Sequence, residues 1–134
     1  MSAENVAIIR SVYEAFAEGN VSGVLGRMSS EIRWHEAENF PYSDGNPYCG
    51  PNAVAAGVFA RCIGEWNGFG VRMDDLIDGG DRVVALGRYS GEHKGTGRRM
   101  NPQAVHVWTL RDGKIIGFQQ YIDTLDVARA TGAL

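Results

Sequence analysis

The chain carries a small set of side chains able to move a proton inside a pocket: Glu36, His106 and Asp123, with Gln119 and Tyr121 shortly before Asp123. Removing a proton beside a carbonyl needs a base close to the carbon and a donor for the oxygen that becomes enolate-like. A carboxylate in apolar surroundings is desolvated, which lifts its pKa toward the range useful for that step. Asp123 or Glu36 fits the base, and His106, Tyr121 or Gln119 fits the donor. Such chemistry requires no metal or organic cofactor, and His35, Glu36 and His106 lack the spacing of a metal site. Each residue also has an ordinary reading. Asp123, followed by TLDVARA, can cap a helix; Glu36 beside Glu38 can be a solvated strand end; His106 between Val105 and Val107 can be a hydrogen-bonded structural imidazole.

A hairpin must position most of these groups. From Ala104 to Leu110 the residues alternate, with Ala104, His106, Trp108 and Leu110 on one face. Asp112-Gly113 suits a tight turn because both residues tolerate positive φ. The return run puts Gln119, Tyr121 and Asp123 on one face and Ile116, Phe118, Gln120 and Ile122 on the other. A two-residue loop opposes His106 to Gln119, whereas a three-residue loop with Gly113 in a bulge opposes it to Phe118. The expectation adopted is that Tyr121 and Asp123 face inward with His106 and Trp108, lining a pocket.

The remaining elements follow from periodicity and punctuation. Val6, Ile9, Tyr13 and Phe16 recur at helical steps after a capping Ser2, and a short glycine-containing helix follows Asn20. Residues 31–36 read as a strand with Ile32, Trp34 and Glu36 on one side. Residues 37–50 form a loop rich in aromatics, among them Tyr42. Pro51 opens a third helix, closed by Gly68, whose apolar face bears Phe59 and Trp66. Then come strands through Phe69–Ile77 and Arg82–His93, the hairpin, and a short helix near 125–130. Trp34, Tyr42, Phe59, Tyr89 and Trp108 are the aromatic candidates for a ligand pocket, with filling of the core as their alternative. Arg88, on an otherwise apolar strand, either pairs with a carboxylate or reaches solvent. Helices first and strands later indicate an α+β fold with an antiparallel sheet curled around helices.

At 134 residues the chain suits one domain spanning 1–134. A formal net charge of −3 offers no footprint for nucleic acid or an anionic membrane surface. Cys49 and Cys62 form no metal-spaced pair and no disulfide framework. The opening MSAENVAIIR predicts neither a signal peptide nor a transmembrane helix, which makes the cytoplasm the simplest location. Val105 and Val107, on the outer face, suggest a homodimer.

The order of elements, together with YEAFAEGN at 13–20, IRWHEAENFPY, GPNAV, HVWTLRDGKI and QQYIDTLDV, resembles the NTF2-like superfamily, and within it the SnoaL-like polyketide cyclases and ketosteroid isomerase-like proteins. The resemblance covers nearly the whole chain. It implies a cone-shaped α+β barrel whose open end holds a small, largely apolar carbonyl compound, and an isomerase or cyclase needing no cofactor; a non-catalytic binding or dimerisation module of the same fold is the alternative. The cyclase layout places an acid/base aspartate at Asp123, beside His106 or Trp108. The isomerase layout places its base at Glu36 and its second carboxylate at His106. The isomerase tyrosine falls at or near Val12, and Tyr13 lies about 100° round the helix from it. An Arg-Asp pair at Arg88 would resemble the epoxide-hydrolase branch, of which only one of the two required acids is present.

Overall fold

The computed structural model describes residues 2–134. Helix α1 (Ser2–Ala17) follows the apolar stripe read from the sequence: Ile9 and Val12 are buried, and Val6, Tyr13 and Phe16 pack against the same core. Ser2 lies inside the helix, not ahead of it. The short α2 (Val21–Leu25) contains Gly23, a weak helix former. Its Asn20 cap compensates by accepting from the Gly23 amide at 3.0 Å. Strand β1 (Met28–His35) turns Ile32, Trp34 and the following Glu36 toward the core.

The aromatic loop is ordered by a 3-10 turn (Pro41–Gly45) and by a two-residue strand, β2 (Tyr48–Cys49), paired with β1. The third helix has an irregular middle. Segments α3 (Pro51–Val54) and α4 (Ala60–Glu65) flank a π-helical stretch, Ala55–Phe59. Gly57 in that stretch leaves room for the Tyr48 ring, which a Cβ at this position would overlap. The helix stops at Glu65, short of the expected Gly68, because Trp66 already has extended dihedrals and opens β3 (Trp66–Asp78).

Strands β3, β4 (Arg82–His93), β6 (Gln103–Arg111) and β7 (Lys114–Ile122) form an antiparallel meander, and the short β5 (Arg99–Met100) pairs with β4. The main path of the sheet runs β2-β1-β7-β6-β4-β3. One pairing departs from the antiparallel expectation: β1 runs parallel to β7. The result is an α+β cone, a curved and unclosed mixed sheet with helices at its concave side. Asn5 ties α1 across it, donating to the Gly80 carbonyl at 2.9 Å. The Trp34 and Phe118 rings stack across the β1–β7 pairing with centroids 3.6 Å apart. Aromatic pairs of this kind add about 0.5–1.5 kcal/mol beyond their buried area.

The β6–β7 register decides which side chains enter the cone. Asp112 and Gly113 both have positive φ, 51° and 75°, and form a two-residue turn with Arg111 opposite Lys114. Leu110 then faces Ile115, but Thr109 faces Gly117, so Ile116 is an extra residue in β7. That bulge inverts the faces of everything after it. His106 therefore lies opposite Gln120, and Trp108 opposite Phe118. Gln119, Tyr121 and Asp123 point to the outer side, contrary to the expectation. Tyr121 is 56% exposed, whereas Gln120 is 1% exposed. Burying Phe118 and Ile115 on the inner face outweighs any preference for the polar set. Asp123 accepts from the Asp126 amide and caps α5 (Thr124–Thr131), the ordinary reading of that residue.

Candidate functional site

The concave side of the sheet encloses a cavity of about 50 Å³, room for a few water molecules. Trp34, Phe59, Tyr89 and Trp108 line it together with Tyr13, Phe16, Phe40 and Gln120, which no sequence pattern assigns to a pocket. Neither Lys nor Arg is among its lining residues, and Glu36 is its single carboxyl.

Glu36 is 3% exposed, which replaces the expected solvated strand end. Its backbone is held on both sides by Asn46, whose Oδ1 accepts from the Glu36 amide and whose Nδ2 donates to the Glu36 carbonyl, each at 2.8 Å. The Trp34 indole N–H donates to Glu36 Oε2 at 3.1 Å. Burial pushes the carboxyl up to about 8, against the smaller opposing effects of the Trp34 bond and the Arg61 charge. A group with that pKa exchanges a proton near neutral pH.

Opposite it runs a chain of polar groups. Tyr13 Oη lies 2.6 Å from His106 Nδ1, and Tyr89 Oη lies 2.5 Å from His106 Nε2. The Trp108 indole N–H donates to Tyr13 Oη at 2.9 Å, and Gln120 Nε2 donates to Tyr89 Oη at 2.8 Å. Gln120 Oε1 in turn accepts from the Ala37 amide at 3.0 Å, linking the chain to the residue after Glu36. Alternation in β4 and β6 sets small Ala85 opposite His106, which leaves space for the imidazole. Burial lowers the His106 pKa to about 3 and raises those of Tyr13 and Tyr89, so all three rings are neutral across the ordinary pH range. Both His106 nitrogens are engaged by the two tyrosines, whose side chains line the cavity.

Tyr42, expected in the pocket, serves the loop. Its hydroxyl lies 2.8 Å from Glu65 Oε1 and accepts from the Trp66 indole N–H at 3.0 Å. Arg61 stacks 4.3 Å over the Tyr42 ring and grips Asp44 through two bonds of 2.8 and 3.1 Å. The loop is thereby fastened to α4, and the Arg61 charge acts on Glu36 from behind. Arg88 donates to the Asn101 carbonyl at 2.7 Å and meets no carboxylate among the described residues, so the epoxide-hydrolase resemblance has no counterpart.

The sequence matches the SnoaL-like domain model over residues 9–118. The chain belongs to the SnoaL-like domain family. An NTF2-like protein from Burkholderia thailandensis E264 shares 34% identity over 93% of this chain and 95% of its own, with a TM-score of 0.89. TerC, in a structure co-crystallized with polyporic acid, shares 25% identity over 96% of this chain and 98% of its own, with a TM-score of 0.85. A putative SnoaL-like polyketide cyclase from Jannaschia sp. CCS1 shares the fold at 20% identity, over 98% of this chain and 94% of its own, with a TM-score of 0.81. No curated protein sequence matches the chain. Among the described residues no helix is long and apolar enough to cross a membrane.

Proposed function

We propose that this SnoaL-like chain binds a small, largely apolar carbonyl compound in its cone and transfers a proton beside the carbonyl without a cofactor, as an isomerase or aldol cyclase does. The observation that carries this reading is a buried carboxyl, Glu36, facing the same cavity as the Tyr13–His106–Tyr89 chain. Glu36 takes and returns the proton, a tyrosine hydroxyl stabilises the oxygen, and Trp34, Phe59 and Trp108 hold the apolar body. The base is assigned to Glu36 and not to Asp123, because Asp123 is committed to capping α5 on the outer side. That TerC was co-crystallized with polyporic acid supports a small-molecule role for this cone.

A cavity of about 50 Å³ is below the roughly 300 Å³ at which ligand pockets usually begin, so its wall must give way on binding. Tyr13 and Val71 line both the cavity and the outer groove between α1 and β3, and Glu36 lines both the cavity and the groove beside Asn46 and Gln119, so these two walls are where the cavity lies nearest an outer groove. The small volume also favours, as a second reading, a binding module that accepts only a minor ligand. The protein acts as one cytoplasmic domain and pairs as a homodimer through the face bearing Val105 and Val107; light scattering should give twice the chain mass.

The deciding experiment is deuterium uptake from heavy water into cyclic ketones and enones. Uptake should vanish in Glu36→Gln and persist in Asp123→Asn. The reverse pattern overturns the assignment, and ketone binding without uptake in the native protein establishes the binding module.

A further inference from the structure

The polar chain Trp108–Tyr13–His106–Tyr89–Gln120 has a countable number of protons. An indole N–H only donates, so Tyr13 Oη receives one bond from Trp108. Gln120 uses its oxygen on the Ala37 amide, so its NH₂ is the group that donates to Tyr89 Oη. Each tyrosine oxygen therefore has an incoming donor and one proton of its own to place. A neutral imidazole has one N–H and one lone pair. If both tyrosines donated to His106, the ring would need two lone pairs. Only one can do so; the other accepts the ring N–H and is left with a hydroxyl proton that has no acceptor in the chain. Tyr13 and Tyr89 both line the cavity, and their hydroxyls make no further hydrogen bonds among the described residues.

We infer that the cavity presents a single tyrosine hydroxyl donor to its ligand, and that the tautomer of His106 selects whether Tyr13 or Tyr89 presents it. With Nδ1–H, the ring donates to Tyr13, Tyr89 donates to Nε2, and the free proton is on Tyr13. With Nε2–H the arrangement is mirrored and the free proton is on Tyr89. Interconversion moves protons along the chain and creates no charge. The ligand this suits has one strongly accepting oxygen, a ketone, aldehyde or enol, and the position of that oxygen sets the tautomer. A carboxylate fits poorly, since it brings a charge beside Glu36 into a cavity lined by neither Lys nor Arg. His106 is thus a positioning residue that makes the donor movable, which goes beyond the donor role that a fixed oxyanion hole would give it. The ligand class rests on the carbonyl-binding reading; the proton count does not.

The test uses the full chain with ¹⁵N-labelled histidine. At pH 7 the native His106 should show one protonated and one unprotonated ring nitrogen; an imidazolium signal would overturn the inference without any variant. Tyr13→Phe leaves Tyr89 as the only ring partner and should fix Nε2–H: the Tyr89 hydroxyl proton then turns to water in the cavity it lines, and an unpartnered Nδ1 lone pair is cheaper than the unpartnered Nδ1–H of the other tautomer. Tyr89→Phe should fix Nδ1–H. The same tautomer in both variants would refute the selection. Carbonyl-labelled ¹³C cyclohexanone then probes the donor. Each single variant should keep the downfield carbonyl shift on binding, and the double variant should lose it with about tenfold weaker binding. Loss of the shift in one single variant alone would show a fixed donor and overturn the switch. Failure of cyclohexanone to bind the native protein would sink the carbonyl reading while leaving the tautomer result to stand or fall by itself.

Discussion

Replacing Glu36 by Gln should stabilise the protein while removing its proton transfer. Burial raises the Glu36 carboxyl from 4.5 to about 8. Between those values the folded state holds a proton that the unfolded state has released, so the stability of the native protein falls as pH rises. The sign is opposite to that of a salt-bridged carboxylate: the contribution is most favourable below pH 4.5 and is lost progressively up to about 8. Each pH unit in this window costs about 1.4 kcal/mol. At pH 7 the penalty is about 3 kcal/mol, and above pH 8 it levels off at about 5 kcal/mol. Gln is neutral, has nearly the same shape, and keeps an oxygen for the Trp34 indole N–H. Urea denaturation of both proteins at pH 4, 5, 6, 7, 8 and 9 isolates the effect, since all other titrating groups cancel in the difference. Glu36→Gln should match the native protein at pH 4 and exceed it by about 3 kcal/mol at pH 7. A difference that stays flat from pH 5 to pH 9 would show Glu36 ionising at its ordinary pKa, and the argument for a desolvated acid/base would fail.

Proton exchange catalysed through ionised Glu36 should rise about tenfold per pH unit up to about 8 and then level off, read as the initial rate of deuterium uptake into a ketone; a profile flat from pH 5 would exclude Glu36 as the base. His106 has the opposite linkage. With its pKa lowered from 6.5 to about 3, the unfolded state binds the extra proton, so stability is lost as pH falls through that window. Going from pH 7 to pH 4 should therefore cost the native protein about 3 kcal/mol more than His106→Gln, measured by urea titration. Gly57→Ala drives a methyl group into the Tyr48 ring, which also packs over Gly45. It should lower stability by about 1–3 kcal/mol and loosen the 37–50 loop, seen as faster amide exchange at Tyr42 and Ser43. An unchanged melting temperature would show that Tyr48 moves aside freely.

Much of the architecture is legible in local pattern. The apolar stripe of α1, the alternation of Ile32, Trp34 and Glu36, and the inner face of β6 with His106 and Trp108 all occupy the sides that periodicity assigns. Asp112-Gly113 makes the two-residue turn its residue types favour. The faces of β7 lie one step beyond local pattern. The bulge at Ile116 has no strong signature in the sequence, yet it reverses every later side chain of β7. Phe118 and Ile122 make the Gln120 face the more apolar one, and burial follows apolar area. Periodicity alone carries Trp66 into the helix because its spacing continues the apolar stripe, although the backbone has already become extended there.

The sequence by itself determined the element types, the turn and the stock of proton-moving side chains, because these depend on intrinsic dihedral preferences and on periodicity within a dozen residues. Only the tertiary structure decided which of those side chains meet. Tyr13, Tyr89, His106 and Gln120 come from three strands and a helix, and their junction depends on how strands register and how the sheet curls. The same holds for chemistry. Glu36 is an ordinary carboxylate in a strand-end sequence and a near-neutral acid in the cone, because its pKa is set by the water removed around it and not by its neighbours in the chain.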